Sequence, residues 1–292
     1  MSSSSHYFDL KDYNFKETPK GVRVFWSVMK YVVLVISCLL VVIPLLTVLI
    51  GAFKTKQEVL TTSAFTLPAS PQWQNFAEAF INGNVMKGLL NTAFILVVSC
   101  IGSIMTGTMV AFVVQRFQML FTKMVKGAFL ICSLLPTITM QISVYQIVSK
   151  LHLIDTYAAP IILFIGTDVI AVTIFIQFLD NISVSLDESA ILDGCSYPRV
   201  YWSIILPMLR PAIATVLVMK FVGVYNDFYT PYLYMHNHRV VSTALSDFVN
   251  QSSVDWNVIF AGVIICIIPT LIMFLSMQKS IYSNLVSGSV KE

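Results

Sequence analysis

Charge is scarce in this chain of 292 residues: Asp, Glu, Lys and Arg together make up 11% of it, against 57% hydrophobic residues. Soluble domains carry roughly twice that charge, so a water-facing globule is excluded. The mean hydropathy of +0.79 points instead to a chain dissolved largely in lipid. There is no Gly-x-x-x-x-Gly-Lys-Ser/Thr run, and so no loop of that kind to cradle a nucleotide phosphate. Cysteine is sparse. Cys38, Cys100, Cys132 and Cys266 lie in apolar runs and Cys195 in a polar one, with no spacing that suggests a disulfide framework or a metal. No internal repeat is evident.

What is present is a series of long apolar runs. A helix rises about 1.5 Å per residue through a hydrocarbon core roughly 30 Å thick, so about 20 apolar residues make a span. Six runs qualify: 31–53, 88–114, 127–149, 158–179, 211–234 and 258–278. The first is too long for a secretory core and lacks a small-residue cleavage pattern after it, so it is expected to stay as an anchor. With the N-terminus inside, twelve Lys and Arg residues fall on the cytoplasmic side and five (Lys54, Lys56, Lys87, Lys150, Arg239) outside, with Lys220 inside a span. That asymmetry places both termini in the cytoplasm. It also accounts for the net charge of +3 without a nucleic-acid partner. Residues 1–30 are expected to form a cytoplasmic tail, loosely ordered over 1–25, and 31–292 one six-helix membrane domain.

Several features qualify the runs. In the second, Ser99, Ser103, Gly107 and Ala111 recur every four residues and line one helix face with small side chains, which lets a neighbouring backbone approach. Pro44, Pro136, Pro231 and Pro269 lie in or near runs and are expected to bend them. The outer stretch Lys54–Lys87 contains Ser70 and Pro71 ahead of a mixed run from Trp73 to Phe80, expected to be an amphipathic helix at the membrane surface. A second polar outer loop runs from Met235 to Asn257. Lys220 lies about 13 Å into the fifth run and Asp168 about 15 Å into the fourth. Both are near mid-depth, where an unpaired charge is costly, so an Asp168–Lys220 ion pair is expected.

The polar interruption at 180–210 carries a denser pattern. Ser185 and Glu188 have the spacing of a capping box, so a short helix is expected to start there. Gly194 supplies a stop, Ser196 and Pro198 a second start, and Leu206–Pro207 a second stop. Glu188, Ser189 and Ala190 are followed after three residues by Gly194, after nine more by Ile204, and then by Leu206 and Pro207.

At these residues the chain resembles the permease subunits of bacterial binding-protein-dependent ABC importers. Their hallmark is Glu-Ala-Ala, three residues, Gly, nine residues, Ile-x-Leu-Pro; here Ser189 replaces the first alanine, and Pro211 follows as in sugar permeases. The number of runs, the outer segment after the first, and the stretch Gln278–Val290 are similar to the maltose and oligosaccharide branch, so the resemblance covers nearly the whole chain. It implies an all-α type I importer permease fold with a cytoplasmic coupling helix. It also implies that Glu188, Ser189, Ala190, Gly194, Leu206 and Pro207 engage an ATPase subunit. The stretch Tyr225, Asn226, Asp227, Phe228, Tyr229 resembles the path-lining segment of sugar permeases; amide, carboxylate and aromatic groups suit hydroxyls and a sugar ring. Tyr232 and Tyr234 read as an interfacial aromatic belt.

The resemblance further implies a non-catalytic subunit of the bacterial inner membrane, holding no cofactor, with ATP and magnesium handled by two partner ATPases. A second permease and an extracytoplasmic solute-binding protein complete the expected set. The alternatives are an importer for a non-carbohydrate solute, or an ion-coupled transporter in which Asp168, Lys220 and Asp227 relay ions.

Overall fold

The computed structural model describes residues 20–289 apart from Gln118, Thr167, Leu245 and 247–253. Most of the expected tail, the middle of the loop Met235–Asn257 and the terminal Val290 thus lie outside the described residues. All regular elements among the described residues are helical. They divide into two units, 1–48 and 49–292, and every site below belongs to the second.

Helix α1 (Lys20–Ala52) starts ahead of the expected run because Val22, Val24, Phe25 and Trp26 continue the apolar sequence with no proline among them. The outer segment holds α2 (Lys56–Thr61) and α3 (Gln74–Ile81), followed by the long α4 (Val85–Arg116). Then come α5 (Leu120–Leu134), α6 (Thr137–Lys150), α7 (Ala158–Gly166), α8 (Val169–Leu179) and α9 (Val184–Leu192). The remainder is α10 (Tyr197–Met208) and α11 (Arg210–Asn226), then α12 (Tyr229–Tyr234), α13 (Val241–Ala244) and α14 (Trp256–Ser289).

Among the described residues, four helical stretches are long and apolar enough to cross a membrane: Val24–Ala52, Val85–Arg116, Ala158–Leu179 and Trp256–Ser276. A fifth is added if α10 and α11, bent by 70° at Leu209, count as one span. The expected third run is divided. Pro136 offers no N–H and disfavours helix in the residue before it, so Leu135 is extended (φ −81°, ψ 125°) and α5 gives way to α6. The expected fifth run breaks at Asp227, also extended (φ −69°, ψ 117°). Pro44 and Pro269, by contrast, lie inside continuous helices.

Helix α4 is the central strut. Its stripe of Ser99, Ser103, Gly107 and Ala111 is buried. A methyl added at Gly107 would lie 3.1 Å from the Phe175 ring of α8, so the absence of a side chain there lets α8 close in. Ser103 Oγ donates to the Phe164 carbonyl of α7 at 3.3 Å. Towards the N-terminal end of α4, Thr92 Oγ1 accepts from the Val241 N–H at 3.0 Å and Asn91 Nδ2 donates to the Arg239 carbonyl at 2.7 Å. At the other end Phe112, Phe175, Val200, Tyr201, Ile205 and Leu209 form one cluster, in which the Tyr201 and Thr108 hydroxyls share a 2.8 Å hydrogen bond.

The outer segment is tied down by polar contacts. Lys54 is buried and donates to Thr62 Oγ1 and the Ser63 carbonyl at 2.9 and 2.7 Å. Thr55 and Glu58 form a capping box on α2, and Glu58 also accepts from the Ala69 N–H at 3.0 Å. The Thr55 and Ala69 amides hold the Glu58 carboxyl below the usual range. Helix α3 differs from the surface helix expected: its Ala79 packs against Val258, Ile259 and Ala261 of α14. Its Asn75 donates to the Ala52 and Lys54 carbonyls at 2.8 and 2.9 Å and accepts from Asn257 Nδ2 at 2.8 Å.

Candidate coupling segment and membrane-depth cavities

Helix α9 is set by its ends. The expected Ser185–Glu188 capping box does not form; the cap is Ser183, whose hydroxyl accepts from the Ser185 N–H at 3.3 Å. The chain leaves the turn at Asn181–Ile182 in extended form at Ser183 (ψ 134°), so the first serine that meets the cap geometry takes the role. The other end is a Schellman stop: Gly194 has φ +86°, its N–H reaches the Ile191 carbonyl at 2.9 Å, and the Cys195 N–H reaches that of Ala190 at 2.9 Å. Ser196 then opens α10 with Pro198 in its first turn.

Leu206–Pro207 does not stop α10 as expected. A π turn over Tyr201–Ile205 precedes the proline, with the Leu206 N–H returning to the Tyr201 carbonyl, and the helix runs on to Met208 before the bend at Leu209. The wider turn absorbs the missing proline donor, a known use of such bulges.

Two faces of α9 follow. Asp187 and Ala190 are buried and turned to the chain's own core. Val184, Leu186, Glu188, Ser189, Ile191 and Leu192 are exposed, Leu192 by 88%. Ser189 Oγ bonds back to the Ser185 carbonyl at 2.7 Å, so the serine in the alanine position satisfies itself within the helix. Of the expected coupling residues, Glu188, Ser189, Gly194 and Pro207 are exposed, Leu206 is half-buried and Ala190 packs inward.

Sequence reasoning missed what fixes this helix. Arg116, at the end of α4, forms an ion pair through Nε with Asp187 Oδ2, the two side chains being only 5% and 7% exposed. Among the described residues, no further hydrogen bond reaches either Asp187 oxygen. Arg116 Nη2 also donates to the Ile182 carbonyl at 3.1 Å, and the neighbouring Gln115 bonds Asp180. The signal was available: Asp187 precedes Ala190 by three residues and so shares its helix face.

The second candidate lies at the junction of α7 and α8. Lys220 Nζ of α11 is 2.7 Å from Asp168 Oδ2, bonds the Phe164 carbonyl, and stands 5.9 Å from the centre of the Phe164 ring. Asp168 Oδ1 caps α8 by accepting from the Ala171 N–H at 3.2 Å. One ammonium thus serves both broken ends, a carbonyl of α7 and the cap of α8. Asp168 borders two cavities. One of about 260 Å³ is shared with Phe164, Lys220 and Val224; the other, of about 170 Å³, with Ser103, Gly107 and Phe129.

The segment expected to line the path is engaged otherwise. Tyr225 is buried, stacks on Phe221 and donates to the Cys266 carbonyl at 2.6 Å. Asn226 Nδ2 returns to the Val222 carbonyl at 2.9 Å, and the Asp227 carboxylate accepts from the Thr230 N–H and hydroxyl at 3.1 and 2.6 Å. Tyr229 is exposed. None of these four lines either cavity beside Asp168. Tyr234, assigned to an aromatic belt, is buried, whereas Tyr232 is exposed.

A short helix held at both ends thus stands in a chain with several helices long and apolar enough to cross a membrane. Residues 103–285 match the family described as binding-protein-dependent transport system inner membrane component, and the chain belongs to that family of ABC importer permeases. It is 30% identical over 261 residues to the protein named Probable starch degradation products transport system permease protein AmyC of Thermoanaerobacterium thermosulfurigenes, covering 88% of this chain and 94% of that one. It is 25% identical over 255 residues to the melibiose/raffinose/stachyose import permease protein MelC of Bacillus subtilis, covering 85% and 91%. A crystal structure of a bacterial ABC transporter involved in the import of the acidic polysaccharide alginate has a chain that superposes with a TM-score of 0.75 at 18% identity, over 90% of this chain and 98% of that one. The last likeness concerns the fold.

Proposed function

We propose that the chain is one half of the translocation path of a carbohydrate importer, itself without catalytic activity. It is paired with a second permease, driven by two cytoplasmic ATPases that carry ATP and magnesium, and supplied by an extracytoplasmic solute-binding protein. The observation that carries the ATPase role is α9: a short helix capped at both ends, buried on the Asp187–Ala190 face and exposing Leu192, Ile191 and Val184 on the other. Exposed apolar side chains rimmed by Glu188 and Ser189 suit insertion into a protein cleft. Ala190 and Gly194 then act by shaping the helix rather than by touching the ATPase.

The carbohydrate assignment draws on the cargoes in the relatives' names. Six spans complete the topology if α5 and α6 together cross once and α10–α11 cross once; both termini then lie in the cytoplasm and the membrane is the bacterial inner one. The cavities beside Asp168 are the better candidates for the path than Tyr225, Asn226 and Asp227, whose polar groups are satisfied locally.

Uptake in cells treated with a proton ionophore while ATP is maintained tests the reading: carbohydrate uptake should persist, and collapse would favour ion coupling through Asp168 and Lys220. Purification of the tagged chain from native membranes should bring down two ATPase copies and a sister permease; recovery of the chain alone would refute the assembly.

A further inference from the structure

The cavity of about 260 Å³ beside the junction of α7 and α8 sets three unlike groups on an otherwise apolar wall. They are the Phe164 ring, the Lys220 ammonium and the Asp168 carboxylate, with Ile170, Val216 and Met219 among the apolar neighbours. A few convergent polar groups in an apolar hollow are the make-up of a small-molecule pocket.

The pair keeps hydrogen-bonding capacity in hand. An ammonium has three N–H groups, and among the described residues that of Lys220 meets two oxygens, the Phe164 carbonyl and Asp168 Oδ2. The Asp168 carboxylate receives Lys220 on one oxygen and the Ala171 N–H, at 3.2 Å, on the other, and each oxygen has a further lone pair. A donor and an acceptor thus stand side by side. Two adjacent hydroxyls need that arrangement, one accepting and the other donating. The Phe164 ring, its centre 5.9 Å from Lys220 Nζ, offers a face to the apolar side of a sugar ring.

The mouth and the charge of the cavity narrow what enters it. Ile170 and Met219 are exposed at its edge, so this chain leaves it open there. Ionic groups at membrane depth are costly against lipid and are kept beside water-filled spaces, so this opening suits a path rather than acyl chains. Among the described residues no ionisable side chain other than Asp168 and Lys220 lines the cavity, and their charges cancel. A cargo carboxylate would meet an ammonium already neutralised at 2.7 Å by Asp168, which leaves its lost hydration without recompense. A cargo ammonium meets the same obstacle at Asp168. An uncharged hydroxyl-bearing ring meets neither.

We propose that the Asp168–Lys220 pair is a specificity determinant of the path: it seats a neutral sugar unit through two adjacent hydroxyls and turns away acidic and amino sugars. The inference rests on the carbohydrate-importer reading above and narrows its cargo to uncharged sugars.

The test measures equilibrium binding to the whole purified complex, without its binding protein, of three probes of one length: maltotriose, trigalacturonate and the glucosamine trimer. The wild type should bind maltotriose most tightly. Asp168→Asn leaves Lys220 charged against the Phe164 carbonyl and should raise the preference for trigalacturonate over maltotriose about tenfold. Lys220→Met should raise the preference for the glucosamine trimer by a similar factor, and both shifts should shrink in high salt. The double variant should weaken maltotriose binding and favour neither charged probe. Met219→Lys adds a cation to the wall and leaves the pair whole; it should shift the ratio towards trigalacturonate about threefold or more, which decides the matter where a pair variant fails to assemble. Charged probes bound by the wild type as tightly as maltotriose would overturn the proposal. So would ratios within about twofold of wild type in the variants that assemble. Binding of none of the three probes to the wild-type complex at millimolar concentration would refute the carbohydrate reading instead.

Discussion

Two charge pairs among the described residues, one buried and one largely so, look alike on paper and are built differently. Asp168 and Lys220 meet where α7 gives way to α8, and each has further work: Lys220 bonds the Phe164 carbonyl, and Asp168 caps α8 through the Ala171 N–H. Arg116 and Asp187 meet where α4 touches α9, and the Asp187 carboxylate receives no hydrogen bond from the described residues beyond the pair. A charge with second partners survives the loss of the first more cheaply than one without. The Lys220 pair therefore closes a break within the chain's own helices, while the Arg116 pair joins α4 to α9, the helix with the exposed face proposed above to meet an ATPase.

The sharpest way to break this contrast is to strand one charge of each. Arg116→Met should lower stability by about 3–5 kcal/mol, read as a fall in the thermal midpoint of the detergent-solubilised chain, because Asp187 is left buried and bare. Adding Asp187→Asn should recover most of the loss; failure to recover would mean that the charge is not what matters. Lys220→Met should cost less, about 2–3 kcal/mol, since Asp168 keeps the Ala171 N–H. Its combination with Asp168→Asn should fall short of the sum of the two single losses, and strictly additive losses would show that the pair does not couple.

Smaller effects sharpen the picture of the segments each pair serves. Gly194→Ala should cost about 1 kcal/mol or somewhat more: nothing lies within 4 Å of the added methyl, so the penalty comes from φ +86° alone. If crowding were the cause, alanine and valine would differ widely there. The least effect is expected at the half-buried Glu58, whose carboxyl is held low by the Thr55 and Ala69 amides. A lowered folded value means that its contribution is present at neutral pH and is lost as pH falls from about the ordinary 4.5 downward. Protease sensitivity of the outer segment should rise across that window in the wild type and be independent of pH there in Glu58→Gln.

Much of this was legible from the residues, for reasons that differ by region. Lys220 and Asp168 stand out because a charge in an apolar run has few explanations, and counting residues from each end gives similar depths. Arg116 does not stand out, since an arginine ending a span reads as one reaching for water. The four-residue stripe on α4 was visible because small side chains at one helical period have one geometric outcome. The sequence around Asp227 reads two ways: amide and carboxylate groups suit sugar hydroxyls, and they equally suit the chain's own donors, as where Asp227 accepts from Thr230. The cap of α9 was misplaced by two residues because Ser183 and Ser185 compete for it and only the backbone entering from Ile182 decides. The division of the third run at Pro136 was foreseen as a bend; that neither piece alone is long enough to span could not be read from hydropathy, which continues across the proline.

Asn75 has a consequence for how the chain is made. Its amide group bonds the end of the first helix at Ala52 and Lys54, while its carbonyl oxygen is met by Asn257, at the start of the last. During synthesis the first two contacts become possible early and the third only when the ribosome has delivered the final hydrophobic segment. Until then Asn75 Oδ1 lacks the Asn257 amide and Ala79 lacks its cover from α14, so this corner of the molecule is completed only by the last helix.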